Sequence, residues 1–228
     1  MRPIKRGATE LCAALFFLVC AARPGAHDPA RSKVTWAGDI ERLVHARCIR
    51  CHSPDGKGPM SLVTYEDARP YANAMREEVL ARRMPKWHAA RGYGQFANDP
   101  SLSPFDIALI VSWVDGGALR GDPAKPATPV PPRPIAKNAA RKIAFPCRDA
   151  SLPAGRLLAL TPAMGEGVSA GFSVVLPDGR QEILAWIRDY EKEFPETYWL
   201  ETPLRLPPGS RLHAEAPADC RVTLHFGG

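Results

Sequence analysis

Six prolines between Gly121 and Pro134 constrain this chain more than any other feature. Pro123, Pro126, Pro129, Pro131, Pro132 and Pro134 fix φ and remove backbone donors, so neither a helix nor an inner strand runs through them. Such a segment favours an extended polyproline conformation of about 3 Å per residue. It predicts a semi-rigid linker over residues 123–141. A length of 228 residues suits one domain of about 100 residues on each side of it. The patterns on the two sides differ, and they predict an all-α domain over residues 33–122 and an antiparallel all-β sandwich over residues 142–228.

In the first part, Trp36, Ile40, Leu43 and Val44 follow helical spacing. Thr64 to Asp67 has the form of a helix start. Pro70 cannot sit deep inside a helix, so a turn precedes a second helix whose buried stripe is Tyr71, Met75 and Val79. A third opens at Ser103, a good N-cap, with Pro104 in the first helical position and Asp106 in the first turn. Ile107, Ile110, Val111 and Val114 give it one apolar face, widened by Leu109 and Trp113. Gly116 and Gly117 end it.

The second part reads as short strands at Arg156 to Leu160, Gly171 to Leu176 and Glu182 to Ile187. Pro177-Asp178-Gly179-Arg180 and Pro207-Pro208-Gly209 are turns. Leu212, Ala214 and Ala216 alternate with polar residues, as do Val222, Leu224 and Phe226. If the last two strands form a hairpin, His213 and His225 face each other on its polar side.

The N-terminus has the form of an export signal, residues 1–26. Arg2, Lys5 and Arg6 precede an apolar run from Leu11 to Ala22, and small residues follow at Ala22 and Ala26. The run is too short to span a bilayer as a helix. The expected location is periplasmic or secreted, with no transmembrane segment in the mature chain. Arg2, Lys5, Arg6 and Arg23 against Glu10 account for +3 of the formal +6 charge, leaving +3. That is too mild for nucleic-acid binding. Cys12 and Cys20 leave with the signal. Cys147 and Cys220 are expected to form a disulfide in an oxidising compartment.

Cys48-Ile49-Arg50-Cys51-His52 is CxxCH, the attachment sequence of c-type haem. Two thiols three positions apart on a helical turn can each add to a vinyl group of one porphyrin. The adjacent imidazole then lies under the iron. A thioredoxin-type CxxC would follow a strand, whereas this one follows a helix. A zinc site would need further ligands; Cys48, Cys51, His52 and His88 would be the set. Met60, Met75, Met84, His45 and His88 are candidates for a second axial ligand. Met84 stands out because Pro85 makes its loop rigid. The cofactor expected is one covalent haem c, bound by Cys48, Cys51, His52 and Met84. The function expected is periplasmic electron transfer, with a redox protein as donor or acceptor. A haem- or copper-dependent oxidoreductase and a haem-based sensor are the alternatives.

Residues 36–122 resemble a bacterial class I cytochrome c domain. The matching phrases are the CxxCH, Ser61 to Pro70, Arg83-Met84-Pro85-Lys86-Trp87, Gly94 to Asp99 and Trp113 to Gly117. The resemblance implies His52 and Met84 as axial ligands of a low-spin electron carrier, with Lys86 where proline is usual. Residues 142–228 resemble a domain of the copper type II, ascorbate-dependent monooxygenases through Leu176 to Arg180 and Leu204 to Ser210. That family carries a His-x-His copper pair where this chain has Thr161-Pro162-Ala163-Met164-Gly165. Both imidazoles are missing, so no copper activity is implied.

Overall fold

Short apolar runs separated by proline and glycine turns build two four-stranded antiparallel sheets in the C-terminal half. The computed structural model describes residues 33–124 and 138–228; the signal, residues 1–26, and most of the linker lie outside the described residues. The strands are β1 (Ala139–Pro146), β2 (Ala150–Ser151), β3 (Gly155–Ala163), β4 (Ala170–Val175), β5 (Gln181–Ile187), β6 (Tyr198–Leu206), β7 (Arg211–Glu215) and β8 (Arg221–Gly227). One sheet has the order β1-β8-β3-β6 and the other β2-β7-β4-β5. This interleaving of two Greek keys is a jelly roll. Leu157, Leu160, Phe172, Val174, Leu212, Leu224 and Phe226 are buried between the sheets. Cys147 and Cys220 form a disulfide beside the β1–β8 pair, where Pro146 lies opposite Arg221.

β7 and β8 belong to different sheets, so the hairpin that would bring His213 to His225 is not formed. His213 Nδ1 meets Asp149 Oδ1 at 2.8 Å on the surface. His225 is buried, with its Nε2 2.8 Å from Thr161 Oγ1.

The N-terminal half is not an all-α domain. A π-helical turn, Trp36–Ile40, leads into α1 (Glu41–Arg47). α2 (Tyr65–Ala68) has a capping box of Thr64 and Asp67, and a 3₁₀ turn, Arg69–Tyr71, joins it to α3 (Ala72–Leu80). α4 (Pro104–Asp115), 12 residues long, is the longest helix among the described residues and is capped by Ser103 and Asp106. Residues 48–64 and 81–103 contain no helix. Pro54, Gly56, Gly58 and Pro59 break the first stretch, and Pro85, Gly92, Gly94 and Pro100 the second. Tyr71 is exposed, unlike Met75 and Val79, because a 3₁₀ turn advances three residues per turn and leaves the α3 stripe.

The non-helical stretch 84–99 joins the halves, and the described residues from Val34 onward belong to one compact unit. It pairs with the free edges of both sheets. At β5, Ala90 N–H donates to Trp186 O (2.7 Å) and Arg188 N–H to His88 O (2.8 Å). At β6, Ala97 N–H donates to Trp199 O (2.9 Å) and Glu201 N–H to Gln95 O (2.8 Å). Asn98 brackets β6 with both ends of its amide, giving Nδ2–H to Thr197 O and accepting from Trp199 N–H. Ala89 and Phe96 are buried in the sandwich core and Trp87 packs on it, 4.8 Å from Tyr198 between ring centroids. The expected fold of two separate domains, one of them all-α, is therefore corrected. The segment that breaks the helices is the cover of the sandwich's edges.

His88 is buried in this junction, with both ring nitrogens lacking hydrogen-bond partners and Glu191 3.9 Å away. Burial holds His88 below the ordinary imidazole range, with Glu191 pulling the other way; burial does the same to His225, helped by Lys142. The folded chain resists protonation that the unfolded chain accepts. The contribution of these two groups to stability is thus full above about pH 6.5 and diminishes as pH falls below it. The loss in urea-unfolding stability between about pH 7.5 and 5.5 should be smaller in His88→Gln than in the wild type. Equal losses would show that His88 adds nothing to the pH dependence.

Candidate ligand-binding cleft

The chain leaves α1 in a tight turn that carries the two thiols. Cys48 N–H donates to Val44 O (2.8 Å), and the N–H groups of Cys51 and His52 both donate to Cys48 O, at 3.0 and 2.9 Å. The loop then folds back: Gly58 N–H reaches Cys51 O at 2.7 Å and Leu62 N–H reaches His52 O at 2.9 Å. Two glycines make this fold possible. A Cβ on Gly56 would lie 2.0 Å from Cys51 O, and one on Gly58 would lie 2.7 Å from His52 Nδ1.

His52 Nδ1 lies 3.2 Å from Met60 O. With the Nδ1 hydrogen donated to that carbonyl, Nε2 is the free acceptor, the arrangement that orients a ligating imidazole. Gly58→Ala would push the ring off this carbonyl. It should cost about 1–3 kcal/mol in urea unfolding, the usual penalty of overpacking. An unchanged midpoint would mean the ring is not held there.

Beside this loop is a cleft of about 340 Å³, within the range of small-molecule and cofactor sites. Cys48, Cys51 and His52 line it from the loop, Ala74, Met75 and Val79 from α3, and Leu102 and Ile110 from α4 and the residue run before it. Met84, Pro85 and Lys86 line it from the junction segment. The lining is mainly apolar. The four residues singled out from the sequence thus share one cleft, although 32 positions separate His52 from Met84. Met60 and Met75 line it too. His45 binds Val63 O instead, at 2.9 Å, and His88 lies in the junction.

Burial pushes the Cys48 thiol up to about 12; Cys51 adds to this and Arg47 opposes it. Reactive redox thiols have the opposite character, low and electropositive. Cys48 therefore lacks the character of a reactive redox thiol. Among the described residues no group of three or more His, Cys, Asp or Glu side chains is placed to hold a metal ion. The expected iron or metal centre is corrected to that extent, since the side chains alone do not build one.

Gly58, Tyr71 and Phe194 are among the wall residues missed in the sequence. Gly58 and Tyr71 line the cleft from the first half, and Phe194 comes from the loop between β5 and β6. Nothing in the spacing of Phe194 pointed to the motif.

No protein-family model matches the chain, and no curated protein matches it. Two solved structures are similar, both of a pentameric capsid protein isolated from metagenomic phage sequences. They share 15% and 18% identity, cover 68% and 67% of this chain and 90% and 89% of their own, and each has a TM-score of 0.27. A TM-score of that size does not show a shared fold. The resemblance to a class I cytochrome c joined to a degenerate copper monooxygenase domain is not upheld. Both the family models and the curated proteins return nothing for it, and the first half is not all-α. The expected electron transfer, read from the CxxCH motif as well as from that resemblance, is withdrawn too, as are the oxidoreductase and sensor alternatives: among the described residues no side-chain cluster is placed to hold a metal ion. No helix among the described residues is long and apolar enough to cross a membrane.

Proposed function

We propose that the cleft over Cys48–His52 is a cofactor-binding site that holds one haem covalently, in a protein exported to an oxidising compartment. The observation that carries this reading is the convergence of Cys48, Cys51, His52 and Met84 on one apolar cleft. The residues fit the group. A flat, largely apolar macrocycle suits walls of Met75, Val79, Leu102 and Ile110. His52 is steered by Met60 O and packed against Gly58, where a Cβ would intrude. The lack of a side-chain metal cluster is no obstacle, because haem brings its iron with four ring nitrogens and leaves only axial positions to the protein.

In this reading Cys48 and Cys51 would hold the macrocycle through thioether bonds, and His52 Nε2 and the Met84 thioether would be the groups that bind its iron. The apolar walls exclude water from the macrocycle's face. Arg47, whose Nη1 donates to Asp99 O (2.9 Å), ties the end of α1 to the chain before α4 and keeps the cleft's two sides in register. The Cys147–Cys220 disulfide supports export, since such bonds persist in oxidising compartments. The exported chain, run on a denaturing gel, should take a haem stain at its own mass. Cys48→Ala/Cys51→Ala should abolish the stain; a stained band in that double variant would disprove attachment at this motif.

A further inference from the structure

The cleft has a wall that the first half of the chain does not supply. Phe194 lines it from the β5–β6 loop, 142 positions after His52. That loop carries Asp189, Glu191, Glu193 and Glu196, four carboxylates within eight positions. Cations around the cleft hold it. Arg50, between the two motif cysteines, pairs through both terminal nitrogens with the two carboxylate oxygens of Glu196. Lys86 Nζ lies 2.6 Å from Glu191 Oε1 and 5.8 Å from the centre of the Phe194 ring. Lys57 Nζ donates to Glu193 O at 3.2 Å. Arg50, Lys86 and Phe194 all face the same cleft. The Glu196 side chain is only 18% exposed, so its pair with Arg50 is less screened than an open surface pair.

Given the haem reading of the cleft, we infer that the sandwich supplies a cover for the bound macrocycle: Phe194 contacts it, and Arg50–Glu196 and Lys86–Glu191 hold that cover shut. Arg50 and Lys86 are positioning residues in this scheme, acting through Phe194. The middle of the CxxCH is then more than a spacer. Neutralising the two loop carboxylates should open the cleft without altering Cys48, Cys51, His52 or Met84.

The test uses the exported full chain and the variants Glu191→Gln/Glu196→Gln and Phe194→Ala. Haem stain on a denaturing gel reports attachment. The rate at which hydrogen peroxide bleaches the haem absorption reports access. In the wild type, bleaching should quicken on going from low salt to about 1 M, where the Debye length falls to about 3 Å. Both variants should bleach about three- to tenfold faster at low salt, and the carboxylate variant should lose the salt response, within the modest strength of two partly exposed ion pairs. Stained variants that bleach at the wild-type rate, with no salt effect in any of them, would overturn the cover while leaving the haem reading intact. An unstained wild type would instead sink the haem reading. The cover would then be read from maleimide labelling of the Cys48–Cys51 peptide by mass spectrometry. Faster labelling in the variants would support it, and equal labelling would overturn it.

Discussion

A chain cut to residues 138–228 should fail to fold on its own. It contains all eight strands, but it loses the segment that covers the edges of β5 and β6. The four backbone hydrogen bonds made by Ala90, Ala97 and the carbonyls of His88 and Gln95 disappear with that segment. So do Trp87, Ala89 and Phe96, which pack in or on the sandwich core. Tyr198, fully buried in the whole chain, loses both aromatic partners, Trp87 and Phe96. Removing a buried large aromatic costs about 3–5 kcal/mol, and a domain has only about 5–15 kcal/mol to lose. Two bare edges also invite strand pairing between molecules. The fragment should therefore appear aggregated or without dispersed amide signals in NMR. Phe96→Ala in the whole chain is the milder form and should lower unfolding stability by about 3–5 kcal/mol. A soluble fragment with native-like dispersion would show that the halves are independent after all.

Opening the Cys147–Cys220 disulfide should cost a comparable amount. The bond closes a loop with a sequence separation of 73 and fastens β1 to β8, whose backbones also meet through Cys147 N–H and Cys220 O at 3.0 Å. In the chain-entropy model a loop of that size is worth about 4 kcal/mol. Both cysteines are buried, so Cys147→Ala/Cys220→Ala keeps much of the apolar packing and isolates the cross-link. The urea midpoint of this double variant should fall accordingly. Thiol titration of the unfolded, unreduced wild type should find neither cysteine free. An unchanged midpoint would assign the bond no role in stability.

The local elements were legible in the sequence because their signals are local. Ser103, Pro104 and Asp106 announce α4, and the capping box forms as those residue types require. Asp178-Gly179 and Pro208-Gly209 mark turns where Gly179 and Gly209 have φ of 86° and 89°. The thiols and His52 lie together because the motif is a single turn of chain. What could not be read was the assembly. Residues 84–99 have neither a helical nor a strand period; they touch the two sheets through isolated bridges at Ala89–Ile187 and Phe96–Leu200. The proline linker suggested independence, yet a linker says nothing about contacts made elsewhere by the parts it joins. β6 was only partly legible, since Pro203 interrupts its pattern; it lies on a sheet edge, where proline is tolerated. Phe194 became visible as a cleft wall only once the β5–β6 loop met Arg50, Lys57 and Lys86. Opposite charges 100 or more positions apart carry no spacing to read.

The most direct test of the haem proposal is the intact mass of the exported chain after denaturation and reduction of its disulfide. Thioether bonds survive both treatments, whereas a ligand held only by the apolar walls of the cleft or by axial coordination does not. The proposal predicts one species, heavier than the processed polypeptide by a single haem, with Cys48 and Cys51 both unavailable to alkylation. A chain at its unmodified mass, with both thiols alkylated, would contradict it.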